Sequence, residues 1–261
     1  MSDNCRVQVV VCVKPVPDPA SVGIVDPVTK TLARTGKLVL DDADRFGIEL
    51  ALQLVANGGD VMVVSMTPAS DHAAVRTALA MGAARATVVT DERLEGADSL
   101  TTSKVLAAAI RRSPFDLVIA GTESSDGYTG TLPVQLAELL GIACVSFATS
   151  VTIDGNHAIV RRQTEAGHDD VLATLPALVT LTAGSVRPRY PNFKGIMAAK
   201  AKPLDVLALS DLKGLELSSL RVTQHVTSIV PAPGRAGGEK VIDDGSAHER
   251  IVTFLEQARV I

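Results

Sequence analysis

The sequence predicts an α/β chain: an open, mostly parallel, doubly wound sheet with antiparallel additions and an extended carboxyl-terminal arm. Three observations predict it. Between residues 6 and 150, short runs of β-forming residues alternate with stretches that carry apolar residues at helical spacing. Beyond residue 150 the rhythm changes to alternating apolar and polar positions, the pattern of antiparallel strands with one wet face. From residue 210 the strand-helix rhythm is lost, and residues 230–249 are rich in Pro, Gly and charge.

Residues 6–13, RVQVVVCV, are the first strand. KPVPDPAS, residues 14–21, ends it, because prolines can neither continue a sheet nor start a helix interior. Residues 22–40 read as a loop that can turn as a hairpin near Asp26-Pro27. Asp41, Asp42 and Asp44 then precede a helix whose Ile48, Ala51, Leu52 and Val55 form an i, i+3, i+4, i+7 stripe. Acids there suit the positive end of the helix dipole, either as caps or as ligand contacts, and Gly58-Gly59 stops the helix. Residues 60–66 are the second strand, followed by a helix with Ala74, Ala78 and Met81 that Gly82 closes. Residues 85–89 are the third strand. Asp98 or Ser99 caps the next helix, which runs to Arg112.

Residues 116–146, DLVIAGTESSDGYTGTLPVQLAELLGIACVS, are the most informative unit. An unbroken apolar run, 117–120, suits a strand buried on both faces. A small polar loop follows at 121–130, and then a helix with Leu132, Leu136, Leu139 and Leu140. Pro133 lies in its first turn and Gly141 just past its end. A further apolar run, 142–147, completes strand, loop, helix, strand. Open α/β sheets bind ligands at such loops, and the helix amino terminus favours an anion. With its Gly, Ser and Thr and the acid Asp126, the loop reads as a phosphate or nucleotide seat.

Residues 151–160 alternate around Asp154-Gly155 and read as a hairpin. Two short apolar runs on either side of Pro176, within 171–182, read as further antiparallel additions. The chain thus divides into an α/β domain, 1–229, and an arm, 230–261. Ile251, Phe254, Leu255 and Val260 give the arm a short amphipathic helix, whose apolar face is expected to lie on a partner chain, with docking back on its own domain as the alternative.

Composition narrows the function. A net charge of -4 offers no footprint for nucleic acid or an anionic membrane. No apolar run approaches the ~20 residues a spanning helix needs. The amino terminus lacks the basic region of a signal peptide. Cys5, Cys12 and Cys144 form no CxxC pair, so neither a disulfide scaffold nor a zinc site is expected, and the cytoplasm is the expected compartment. The chain has no Trp and 3% aromatics, too few for stacking platforms. It contains no GxGxxG after a strand, no GxxxxGK[ST], no GxSxG and no helical HxxxH. His168, Asp169 and Asp170 adjoin in a hairpin-like connection and are not expected to work as an acid-base group. A nucleotide seat without surrounding chemistry points to a binding or carrier role.

A second stretch, residues 185–206, mixes Arg, Pro, exposed aromatics and a weak helix ending in lysines. A core element would not combine these. A surface loop carrying an apolar anchor for another protein would.

With VCVKPVPD (11–18), RTALAMGAARA (76–86), DLVIAGTESSDG (116–127), LPALVTLTAGSVRPRYPNFKGIMAAKAKPLDV (175–206) and AGGEKV (236–241), the chain resembles the β subunit of electron transfer flavoproteins, the FixA type. PRYPNFKGIMAAKAK is the specific part, and the likeness, of actinobacterial character, covers nearly the whole chain. The resemblance implies a Rossmann-type fold of the adenine nucleotide α-hydrolase kind. It also implies a heterodimer whose α subunit holds most of an FAD, while the β subunit completes the FAD site and seats AMP. Electrons would come from flavoprotein dehydrogenases, such as the acyl-CoA dehydrogenases of fatty acid oxidation, and leave to a quinone oxidoreductase. The subunit would have no acid-base catalysis of its own, and its arm would wrap the α partner.

Carried over by resemblance, the nucleotide contacts fall on Cys12, on Asp41, Asp42, Ala43 and Asp44, and on Met66. They continue along the loop and helix start at Gly121, Asp126, Gly127, Tyr128, Thr129, Gly130, Thr131, Leu132, Pro133 and Val134. Docking of the dehydrogenase falls on Phe193, where the family has leucine, with Arg162 and Arg189 beside that face. The chain departs from the family at Ala43, in place of an aromatic, at Asp41-Asp42, in place of Asn-Pro, and at the phosphate loop, here DGYTGTLP. Three rivals remain. A bifurcating type would keep FAD where AMP sits. A universal-stress-type module would need a Gly-x2-Gly-x9-Gly-Ser/Thr loop, and an ATP pyrophosphatase an SGGxDS-like loop where this chain has KPVPD.

Overall fold

Strand β1 (Val7–Cys12) becomes more buried along its length, and its four last residues face core on both sides. That is the environment its Val-rich run requires. The computed structural model describes residues 6–21, 23–34, 36–68, 72–230, 234, 237, 238 and 240–261. Cys5 and parts of the arm (231–233, 235, 236 and 239) lie outside them.

After β1 the chain forms β2 (Pro15–Pro17), β3 (Leu38–Leu40), α1 (Asp42–Leu54), β4 (Gly59–Met66), α2 (Ala73–Met81), β5 (Arg85–Val89), α3 (Ser99–Ile110), β6 (Leu117–Gly121) and α4 (Leu132–Leu140). Then come β7 (Ala143–Asp154), β8 (His157–Thr164), β9 (Gly167–Thr174), β10 (Ala177–Leu181), α5 (Phe193–Ala199), β11 (Leu204–Leu207) and α6 (Ala247–Gln257). One sheet runs β11-β5-β4-β1-β6-β10-β7-β8-β9, parallel from β11 to β7 and antiparallel through β8 and β9. The open, doubly wound α/β class predicted from the strand-helix rhythm is therefore the fold observed. Alternate residues of each central strand feed two cores. Val9, Val11, Val61, Val63 and Ile119 meet α1 and α2 on one face. Val10, Met62, Val64, Val118 and Ala120 meet α3 and α4 on the other.

Three details depart from expectation. The apolar run after Pro176 is not an antiparallel addition. It is β10, parallel to both β6 and β7 and buried at every residue, so it separates the two strands of the predicted 116–146 unit. Its AlaLeuValThrLeu run has the unbroken apolar character of a central parallel strand. The proline-rich segment after β1 does contain a strand. Pro15–Pro17 pairs only with β3, where Val16 faces Val39 and the prolines fall at alternate positions, so the missing N–H groups cost no central ladder. Finally, β11, which carries Asp205 in only four residues, joins the edge of the sheet beside β5 without an apolar run to announce it.

The predicted helices keep their caps. Asp98 caps α3 by accepting the Thr101 N–H at 2.8 Å, and α4 ends at Gly141 with φ 72. Backbone in that left-handed region favours glycine. Up to Thr227 the described residues form one compact unit, and those from Ser228 onward form another. In the second, α6 carries Ile251, Val252 and Phe254, none of them buried. Among the described residues no helix is long and apolar enough to cross a membrane.

Candidate functional site

The strand order reverses at one place. From β1 the chain steps outward to β4 and β5, and then β6 returns to the other side of β1. The connection from β1 leads to α1 on one face and that from β6 leads to α4 on the other. A crevice opens at the carboxyl ends of the two strands where such connections diverge, and ligands of open α/β sheets occupy it.

The residues assigned to nucleotide contact by resemblance lie at the carboxyl ends of β1, β4 and β6, in the loop after β6, and at the amino ends of α1 and α4. Cys12 ends β1 level with Val64 of β4, and Met66 ends β4. The amino end of α1 approaches the end of β6 so closely that a Cβ on Gly121 would lie 3.1 Å from the Ala43 Cβ and 3.4 Å from an Asp44 carboxylate oxygen. A side chain at Gly121 would therefore be tight against the start of α1.

The aspartates at α1 are already engaged. Asp41 caps the helix by accepting the Ala43 N–H at 3.1 Å, and its other oxygen accepts the N–H and hydroxyl of Ser125 at 2.8 and 3.0 Å. Asp44 accepts the Lys14 N–H at 2.6 Å. Asp42 is exposed and pairs with Arg45 on its own helix. Asp126 is paired with both Lys14 and Arg34. Thus Asp41 and Asp126 pin the post-β6 loop to the segments after β1, and neither Lys14 nor Arg34 was assigned a role from sequence. The signal for Lys14 was its place in VCVKPVPD; Arg34 had none.

The loop itself supplies little side-chain chemistry. Tyr128 holds a φ of 47, with its N–H on the Ser124 carbonyl at 3.0 Å and its ring largely exposed. Gly127, Thr129, Gly130 and Thr131 are exposed, and Gly130 also takes a positive φ, 63. Thr131 precedes α4 without a side-chain cap bond, and Pro133 has no N–H to give. The first N–H groups of α4, those of Leu132 and Val134, therefore remain for an anionic partner.

Electrostatics follow burial. Burial pushes the Cys12 thiol up to about 12, with the Asp44 charge adding to it, so this thiol stays protonated and inert. Burial, then the charge of Asp41, raises the Asp44 carboxyl well above the ordinary range, against the hydrogen bond from Lys14 N–H. A raised folded-state value means stability that is present below the ordinary carboxylate range and lost as pH rises through the folded value. Asp44→Asn keeps an acceptor for Lys14 and removes this loss. Its urea midpoint is therefore expected to gain on wild type as pH rises above the ordinary carboxylate range; a constant gap would show Asp44 to titrate normally.

The residues assigned to docking stand elsewhere. Phe193 opens α5 and is 80% exposed, beside Tyr190, Ile196 and Met197. Helix α5 sits on α2: Arg76 donates to the Ala199 and Lys202 carbonyls at 2.8 and 3.0 Å, and Lys202 donates to those of Leu79 and Ala83 at 2.9 and 2.6 Å. A groove of about 580 Å³ between the two helices is lined by Thr77, Pro191, Ile196 and Lys200. Arg189 grips the buried carboxylate of Glu49 with Nε and Nη2 at 2.6 and 2.9 Å and with its own N–H at 3.1 Å. Burial works to raise Glu49, and the hydrogen bonds from Arg189 and Gln53 outweigh it, holding the carboxyl below its usual value. Arg162 lies in β8 opposite Ala148 and Asp169. His168, Asp169 and Asp170 run consecutively along β9, where neighbours face opposite sides of the sheet. Among the described residues no group of His, Cys, Asp or Glu is arranged to hold a metal ion.

Residues 29–212 match the family model described as the electron transfer flavoprotein domain. The chain is 35% identical over 264 positions to the electron transfer flavoprotein subunit beta of Mycobacterium tuberculosis, covering 97% of this chain and 99% of that protein. It is 36% identical to the protein of the same name from Thermoanaerobacterium thermosaccharolyticum, over 95% and 96% of the two chains. It is also 34% identical to the caffeyl-CoA reductase-Etf complex subunit CarD of Acetobacterium woodii, over 90% and 91%. This chain belongs to the β-subunit family of the electron transfer flavoproteins.

Proposed function

We propose that the chain is the β half of a cytoplasmic heterodimer that carries electrons from a flavoprotein dehydrogenase to a quinone oxidoreductase. One observation carries the reading: Cys12, residues 41–44, Met66 and the loop 121–134 come together around the switch crevice, where an α/β sheet binds a nucleotide. The N–H groups at the amino end of α4 would hold the phosphate of AMP, and the residues at the ends of β1 and β4 would flank its ribose and base. FAD, held mainly by the α subunit, supplies the redox chemistry when bound. This chain contributes position and exclusion of water rather than proton transfer, and it presents Phe193 to the dehydrogenase. The arm from 230 onward, with the apolar face of α6, fits the role of a clasp on the α subunit. The similarity to a subunit of a reductase-Etf complex favours one second reading, a bifurcating type with FAD in the place of AMP. The nucleotides carried by the co-expressed heterodimer separate the two: equimolar FAD and AMP is the expected content.

A further inference from the structure

Lys14 and Arg34 reach Asp126 from two different segments. Lys14 Nζ donates to Asp126 Oδ1 at 2.7 Å and to Ser124 Oγ at 3.1 Å. Arg34 Nη2 pairs with Asp126 Oδ2, and Nη1 donates to the Pro15 carbonyl at 3.1 Å. The Asp126 side chain is 4% exposed, whereas those of Lys14 and Arg34 are 40% and 34% exposed. The carboxylate is thus covered by two cations that keep donors open to solvent. A lysine ammonium has three donors and a guanidinium five, so neither group is saturated by these bonds. A Cβ on Gly127 would lie 3.5 Å from Lys14 Nζ, so the ammonium stands against the backbone of the loop that leads into α4.

The charge balance gives this arrangement a purpose. An acidic loop repels a phosphate, and Asp126 alone would oppose an anion at the start of α4. Under two cations the trio itself carries a surplus positive charge, set against Asp41 on Ser125 and Glu123 beside Gly130. Building on the crevice as a nucleotide seat, we propose that Lys14 and Arg34 make it selective for a phosphomonoester. They neutralise Asp126 and direct their remaining N–H groups to the phosphoryl oxygens, so the ligand is held by its phosphate as well as its base. Arg34 belongs to the exposed excursion between β2 and β3, and it is therefore both a phosphate contact and the tie that holds that excursion over the loop.

The test is titration calorimetry of AMP and of adenosine on the nucleotide-stripped heterodimer. Lys14→Met and Arg34→Met are each expected to weaken AMP roughly tenfold to a hundredfold, the loss of a charged hydrogen-bonding partner, and to leave adenosine unchanged. Asp126→Asn, which keeps the side-chain shape and releases both cations, is expected to tighten AMP. Unchanged AMP affinity in both methionine variants overturns the proposal. So does equal weakening of AMP and adenosine, which would make the pair a structural tie only, and so does weaker AMP binding in Asp126→Asn. A wild-type pair that binds neither compound overturns the seat itself, a result distinguishable from the others.

Discussion

Phe193→Ala is expected to slow reduction of the heterodimer's flavin by its dehydrogenase roughly thirtyfold, with flavin content unchanged, the effect of removing about 2 kcal/mol of docking energy. The expectation rests on where the side chain stands. Phe193 is 80% exposed on a helix whose backbone is fixed by Asn192 at its cap and by Arg76 at its far end. A large apolar side chain held outward on a rigid support loses little entropy on docking, and Tyr190, Ile196 and Met197 extend the apolar patch around it. The truncated side chain makes no core contact, so stability is expected to be preserved. Anaerobic stopped-flow reduction by the substrate-reduced dehydrogenase reads the rate. Loss of flavin at unchanged rate per flavin would show that the loop supports the cofactor site rather than the partner.

Gly195→Ala acts on the same helix from beneath. The added Cβ would lie 2.5 Å from the Ala80 carbonyl oxygen of α2, a backbone atom that cannot step aside. Overpacking of this kind costs about 2 kcal/mol, or a fall of roughly 4–8 °C in Tm for a chain of this size. The helix must lift from α2, stretching the Arg76 and Lys202 bonds, and Phe193 moves with it. A lower Tm together with slower reduction is therefore expected. Wild-type values of both would mean that α5 is not held on α2 as described.

Much of the fold is legible in the chain because its signals are local. The apolar runs of β4 and β6 and the Pro133-to-Gly141 bracketing of α4 need no partner to be read. The place of β10 is not local. Its run resembles any short buried strand, and only the full strand order shows that it enters between β6 and β7. The candidate site divides in the same way. The Gly-Ser-Thr loop after β6 announces itself, but the environment of Asp126 does not, since its two cations lie 112 and 92 residues away. Arg189, assigned to the docking face by resemblance, gives no sign in sequence of its partner, Glu49, which its guanidinium meets across 140 residues. Charged residues at long separation carry no periodicity, and their pairing emerges only from the packed chain.

The nucleotides released on denaturing the purified heterodimer test the central claim most directly. Co-expression with its α subunit, followed by chromatography of the released compounds, is expected to give equimolar FAD and AMP, with AMP diminished in Lys14→Met. A chain that stays alone in solution, carries ATP and holds no flavin would contradict the account.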